Sequence, residues 1–81
     1  MLKEILNRYN ENEFITIDGF DDAIIGVNES NMTLIYSVKK CLEILMQDMD
    51  SDEALEYFYH NLYNSFNYDK QLMFCDDNFI Y

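Results

Sequence analysis

The sequence predicts an α+β fold: a small antiparallel sheet, a two-helix hairpin packed on one face of it, and a short N-terminal helix. Residues 37–66 contain two stretches with apolar residues at helical spacing, joined by an acidic corner. Residues 23–36 contain two short apolar runs joined by a polar turn, which is the pattern of a β-hairpin. A chain of 81 residues has the size of one domain, so we expect a single compact domain spanning residues 1–81.

The second helix of the hairpin has the strongest helical pattern in the chain. Its apolar residues recur at intervals of three and four, and all six are expected to face the core: Leu55, Phe58, Tyr59, Leu62, Tyr63 and Phe66. Asp50 and Glu53 have the spacing of a capping box, in which each side chain binds a free amide of the first turn. We therefore expect the helix to begin after Asp50, with Met49 filling the corner beneath it.

The N-terminal half contains the other local patterns. Apolar residues at helical spacing predict a helix over residues 1–9, and residues 14–17 alternate as a strand or extended segment. Gly19 is expected to take a positive φ in a turn. Residues 23–27 and 32–36 are predicted to pair as a hairpin with a four-residue loop.

The remaining elements surround the helix pair. Ser37 is predicted to cap the first helix, whose inward face includes Cys41. Residues 71–75 form the third predicted strand, and the terminal residues 79–81 are expected to fold back on the sheet. Cys41 and Cys75 are too few for a disulfide framework, so both are interpreted as small buried residues of a protein in the reducing cytoplasm.

The charge balance limits the partners. Sixteen Asp and Glu residues oppose five Lys and Arg, which leaves a net charge of −11. Such a charge repels nucleic acid and anionic membranes, so we expect neither as a direct partner. The sequence has no N-terminal signal pattern and no window near the ~20 apolar residues of a membrane span. A partner should present a basic surface, although acidity also serves solubility alone.

The acidic corner between the two helices is the strongest candidate for a partner-binding site. Helix capping and the helix dipole explain some of the acidic residues there, but the corner contains more Asp and Glu residues than capping requires. Next to these acids we expect an exposed tyrosine, and exposed aromatic residues often anchor interfaces. The predicted partner-binding residues are Asp48, Asp50, Asp52, Glu53, Glu56 and Tyr57.

Catalytic and metal-binding patterns are weak by comparison. Asp18, Asp21 and Asp22, with Asp76 and Asp77 across the sheet, could supply oxygen ligands to Mg²⁺, which would suit a metal-assisted hydrolase or nuclease. However, the spacing of a calcium-binding loop is missing, and turn chemistry explains aspartates around a glycine. The single histidine, His60, is interpreted as lying at the boundary of the apolar stripe. We predict no catalytic residues, no bound metal, no cofactor and no enzymatic activity.

Several blocks of the sequence, in one order, resemble a family of small proteins found in phage and prophage genomes. The resemblance covers roughly residues 16 to 75 and rests on residues 18–27 (DGFDDAIIGV), 34–37 (LIYS), 40–46 (KCLEILM), 53–58 (EALEYF) and Asn61. It departs at Tyr68-Asp69-Lys70, where the family tends to have a Gly-Glu turn. The resemblance implies phage origin and an α+β fold, and because the family carries no established reaction, no catalytic residues can be transferred from it.

Together these patterns predict a small acidic interaction protein of phage type. It would bind and block a basic surface of a host nucleic-acid-handling protein, for example as a DNA mimic that inhibits a defence nuclease or a CRISPR effector. Two alternatives remain at this point. One is the metal-assisted hydrolase or nuclease built on Asp18, Asp21 and Asp22, and the other is a structural component that self-assembles through exposed aromatic residues.

Overall fold

The computed structural model describes residues 1–10, 13–65 and 72–78. Its elements, in chain order, are helix α1 (Leu2–Arg8), a 3₁₀ turn (Asp21–Ala23), strands β1 (Ile24–Asn28) and β2 (Thr33–Ser37), helices α2 (Val38–Leu45) and α3 (Ser51–Tyr57), a π-helical segment (Phe58–Tyr63) and strand β3 (Met73–Cys75).

The predicted α+β class is confirmed, with helices and a three-stranded sheet in the order β1-β2-β3. β1 and β2 form the predicted antiparallel hairpin, with a register shift between Ile24 and Gly26. The expectation of an all-antiparallel sheet is wrong for β3, which pairs parallel to β2 and makes the sheet mixed. The parallel pairing follows from the connection between the two strands, because a helical crossover joins β2 to β3, and such crossovers typically join parallel neighbours.

The segment before the hairpin forms no regular strand, but it is tied to the sheet. The Ile17 amide donates a hydrogen bond to the hydroxyl of Tyr36, with a distance of 2.9 Å. Tyr36 is fully buried, so this bond satisfies its hydroxyl inside the core. Gly19 has the predicted positive φ, at 88°, in the turn that follows.

The helices and the sheet share one hydrophobic core. The π-helical segment reaches the sheet through Phe58, whose ring packs edge-on against that of Phe74 in β3, with 5.2 Å between the ring centroids. The buried apolar side chains are Ile5, Ile17, Ala23, Ile24, Leu34, Tyr36, Val38, Cys41, Leu42, Leu45, Ala54, Phe58, Leu62 and Leu72.

The six-residue apolar ladder predicted for the second helix is partly wrong. Leu55 is 39% exposed and Tyr59 is 38% exposed, whereas the buried stripe consists of Ala54, Phe58 and Leu62. The stripe is narrower than the ladder and repeats every four residues. Tyr59 lies in the π-helical segment, whose hydrogen bonds span five residues, so the backbone there departs from the 3.6-residue repeat on which the ladder was based. Leu55 lies in α3, before that segment.

The two cysteines differ in exposure. Cys41 is fully buried as predicted, but Cys75 is exposed, because the alternation of strand β3 turns Phe74 towards the core and Cys75 away from it. Phe66 and the terminal residues 79–81 lie outside the described residues. Within the described part of the chain, every helix is too short or too polar to cross a lipid bilayer.

Candidate functional site

The acidic corner lies where the helix pair reverses direction. Helix α2 ends after Leu45, and the Asp48 amide then donates to the Leu45 carbonyl oxygen, with a distance of 3.1 Å. Asp50 caps α3, because its carboxylate accepts a hydrogen bond from the Glu53 amide at 2.8 Å. All six predicted partner-binding side chains are exposed, including that of Tyr57 at 44%. The fold therefore leaves all six of these side chains accessible to a partner.

The carboxylates of the corner repel one another. The negative charge of Asp50 raises the pKa of Glu53, because a second negative charge nearby is unfavourable. Only the Asp50 half of the predicted capping box forms, since its reciprocal bond is missing from the hydrogen bonds of the described residues. The one ion pair between described residues joins the Met1 amino group to Glu4, so no described cation neutralises the corner.

Three of the six predicted residues line a groove on the outer face of α3, which we call the α3 groove. Glu53, Glu56 and Tyr57 form one part of it, and the rest comes from residues that the sequence analysis did not assign to the site. The groove has a volume of about 350 Å³ and is lined by Met49, Glu53, Glu56, Tyr57, His60 and Asn61. Met49 is half-buried and packs against the core.

The residues that were missed follow a spacing visible in the sequence. Glu56, Tyr57 and His60 lie three, four and seven positions after Glu53. Residues at these spacings share one face of a helix. Asn61 lies four positions after Tyr57. The other three predicted residues, Asp48, Asp50 and Asp52, lie outside the groove.

The beginning of α2 uses an aspartate in a different way. The Ser37 hydroxyl accepts from the Lys40 amide at 3.0 Å and donates to the Asp77 carboxylate. Asp77 also accepts from the Lys39 amide at 2.9 Å. Burial raises the pKa of Asp77, but the hydrogen bonds from Ser37 and Lys39 outweigh burial, so the pKa lies below its ordinary value. These bonds fasten the segment after β3 to α2.

The aspartates of the hydrolase alternative do not assemble. Asp21 and Asp22 lie in the 3₁₀ turn, and Asp77 is bound at the beginning of α2. Among residues 1–10, 13–65 and 72–78, no three His, Cys, Asp or Glu side chains are placed to hold a metal ion. Burial raises the pKa of Cys41 to about 12, so this thiol stays protonated at neutral pH and is a poor nucleophile.

No protein-family model, curated protein or solved structure matches this chain. The function is therefore inferred from the chemistry of its own surface. The acidic corner offers hydrogen-bond acceptors and negative charge in the turn before α3 and on α3 itself, which suits recognition of a cationic group.

Proposed function

We propose that this protein is a small acidic interaction protein of phage type that binds and blocks a basic surface of a host nucleic-acid-handling protein in the cytoplasm. The observation that supports the proposal is the acidic corner, whose exposed carboxylates have no cation partner among the described residues. A net charge of −11 adds long-range attraction to a basic partner. In this role the protein is an inhibitor, of the anti-defence or anti-CRISPR kind.

The density of charge in the corner resembles that of a nucleic acid strand. From Asp50 to Glu56 the helix advances about 9 Å, at 1.5 Å per residue, and this length includes four carboxylates, with Asp52 and Glu53 between the two ends. One strand of DNA carries a phosphate about every 3.4 Å, or roughly three over the same length. An arginine-rich groove that accepts phosphates can therefore accept these carboxylates.

The test is capture of binding partners from host lysate by the tagged protein, followed by competition with DNA for the captured protein. We expect a basic nucleic-acid-binding protein that is retained at low salt, released at high salt and displaced by DNA. Reversing three charges of the corner, with Asp52→Lys, Glu53→Lys and Glu56→Lys together, should abolish capture.

A matched control variant distinguishes the effect of the acidic corner on binding from the effect of net charge. The triple change Glu13→Lys, Asp22→Lys and Glu43→Lys alters the net charge by the same amount at exposed positions elsewhere. We expect this variant to keep most of its binding. Capture that survives the change in the corner, or that is lost equally in both variants, contradicts the proposal.

Self-assembly is the alternative that a structural observation favours, because Leu55 and Tyr59 are more exposed than the apolar pattern predicts. Copies with a net charge of −11 repel one another at low salt, so association of this kind should increase with salt. Light scattering across a concentration series at two salt concentrations distinguishes the two functions, since a mass that grows with concentration supports self-assembly.

A further inference from the structure

We propose that the α3 groove is a binding pocket for one arginine side chain of the basic partner, with the guanidinium group stacked on Tyr57 and hydrogen-bonded to Glu53 and Glu56. This inference rests on the proposed function and specifies how the corner recognises its partner.

The shape of the groove suits a long side chain with an apolar stem. Its lining includes Met49, which packs against the core, and Tyr57, which is exposed. A volume of about 350 Å³ is at the lower end of the range for small-ligand sites, so it suits one side chain rather than a helix. Arginine buries its methylene stem against apolar surface while its charged group stays at the polar rim.

The polar groups of the groove match a guanidinium better than an ammonium. Glu53 and Glu56 share a helix face, and Tyr57 lies beside them one turn after Glu53. A planar guanidinium can donate to two carboxylates while its face stacks on an aromatic ring, and it is more weakly hydrated than the ammonium of lysine. The repulsion between Asp50 and Glu53 would also be relieved by an arriving cation.

Two other concave surfaces of similar volume lack this combination. The one between α1 and β1 contains Arg8, and its acids have partners, since Glu29 accepts from the Tyr9 hydroxyl and Glu4 pairs with the chain terminus. The one on α2 places Lys40 beside its carboxylates. The α3 groove combines two carboxylates and an aromatic ring with no lysine or arginine in its lining.

The test uses the full chain and two fluorescent probes, a deca-arginine and a deca-lysine peptide, with binding followed by anisotropy at low salt. We expect the arginine peptide to bind several-fold more tightly than the lysine peptide. Glu56→Gln and Tyr57→Leu should each weaken arginine binding by about tenfold and remove most of the preference, because each deletes a charge-assisted bond or a stacking surface.

The controls lie outside the groove and the acidic corner. Glu43→Gln removes the same charge from α2, and Tyr59→Leu removes another exposed tyrosine, so each should change binding by less than about twofold. Equal binding of the two peptides, or equal losses in Glu56→Gln and Glu43→Gln, overturns the arginine pocket and leaves the proposed function standing. Failure of the unmodified protein to bind either peptide at low salt overturns both.

Discussion

The two helices of the hairpin both begin at an acceptor side chain, but their acidic residues have different roles. At α2, Ser37 is the cap, and the acid comes from Asp77, which is 40 positions away in the sequence. At α3, Asp50 is a local cap that accepts from the Glu53 amide. Both carboxylate oxygens of Asp77 accept hydrogen bonds from the beginning of α2. Glu53 and Glu56, by contrast, are exposed and have no cation partner among the described residues.

This difference separates acid that stabilises the fold from acid that is available to a partner. Hydrogen bonds that outweigh burial lower the pKa of Asp77, whereas repulsion from Asp50 raises the pKa of Glu53. The charged form of Asp77 is therefore favoured by folding, and the charged form of Glu53 is disfavoured by it. Net charge alone does not distinguish these roles, but the partners of each carboxylate do.

The largest expected loss of stability comes from a substitution at the beginning of α2. Ser37→Ala removes the acceptor for the Lys40 amide and the donor to Asp77 at a fully buried position, so we expect a loss of about 2 kcal/mol in the free energy of unfolding. Urea unfolding followed by circular dichroism measures this loss.

The matched comparison is Asp50→Ala, which removes an exposed cap with one hydrogen bond and should cost about 1 kcal/mol. A loss at Ser37 no greater than the loss at Asp50 would show that the bond to Asp77 contributes nothing measurable.

The local parts of this comparison could be predicted from the sequence. Ser37 and Asp50 were recognised as caps from their positions before helical patterns, and the exposure of Tyr57 followed from its place off the apolar ladder. Each of these features depends on neighbours within one or two helical turns. The acidic corner was therefore located correctly on the surface, although its partner-binding role stays a prediction.

The parts that were missed depend on residues far apart or on the backbone of one segment. Asp77 was considered with a metal site, because nothing in its sequence neighbours indicates the bond to Ser37. The parallel pairing of β3 follows from the path of the chain through the helices. The exposed Tyr59 lies in a π-helical segment, which a 3.6-residue repeat cannot reveal.

A smaller loss of stability is expected when the pH is lowered through the pKa of Asp77. Its folded pKa lies below the ordinary value of 3.8, so its contribution to stability is present above that pH and is lost as the pH falls through the folded pKa. Asp77→Asn should lower stability at neutral pH and reduce the further loss on acidification below about pH 4. Unfolding measured across pH tests this, with the exposed neighbour Asp76→Asn as control. Identical acid profiles for Asp77→Asn and the unmodified protein would contradict the prediction.

The smallest change in stability is expected at Glu53, where lowering the pH stabilises the fold instead of destabilising it. Because its folded pKa is raised, the folded state binds the proton more tightly, and stability increases as the pH falls through that raised value towards the ordinary 4.5. At neutral pH the charge is unfavourable, so Glu53→Gln should raise the thermal midpoint slightly at low salt. The gain should shrink at high salt, because salt screens exposed charges.

Glu56→Gln, which lacks the close contact with Asp50, is the control. A lowered midpoint in Glu53→Gln would mean that the favourable interaction of this carboxylate with the helix dipole exceeds its repulsion from Asp50.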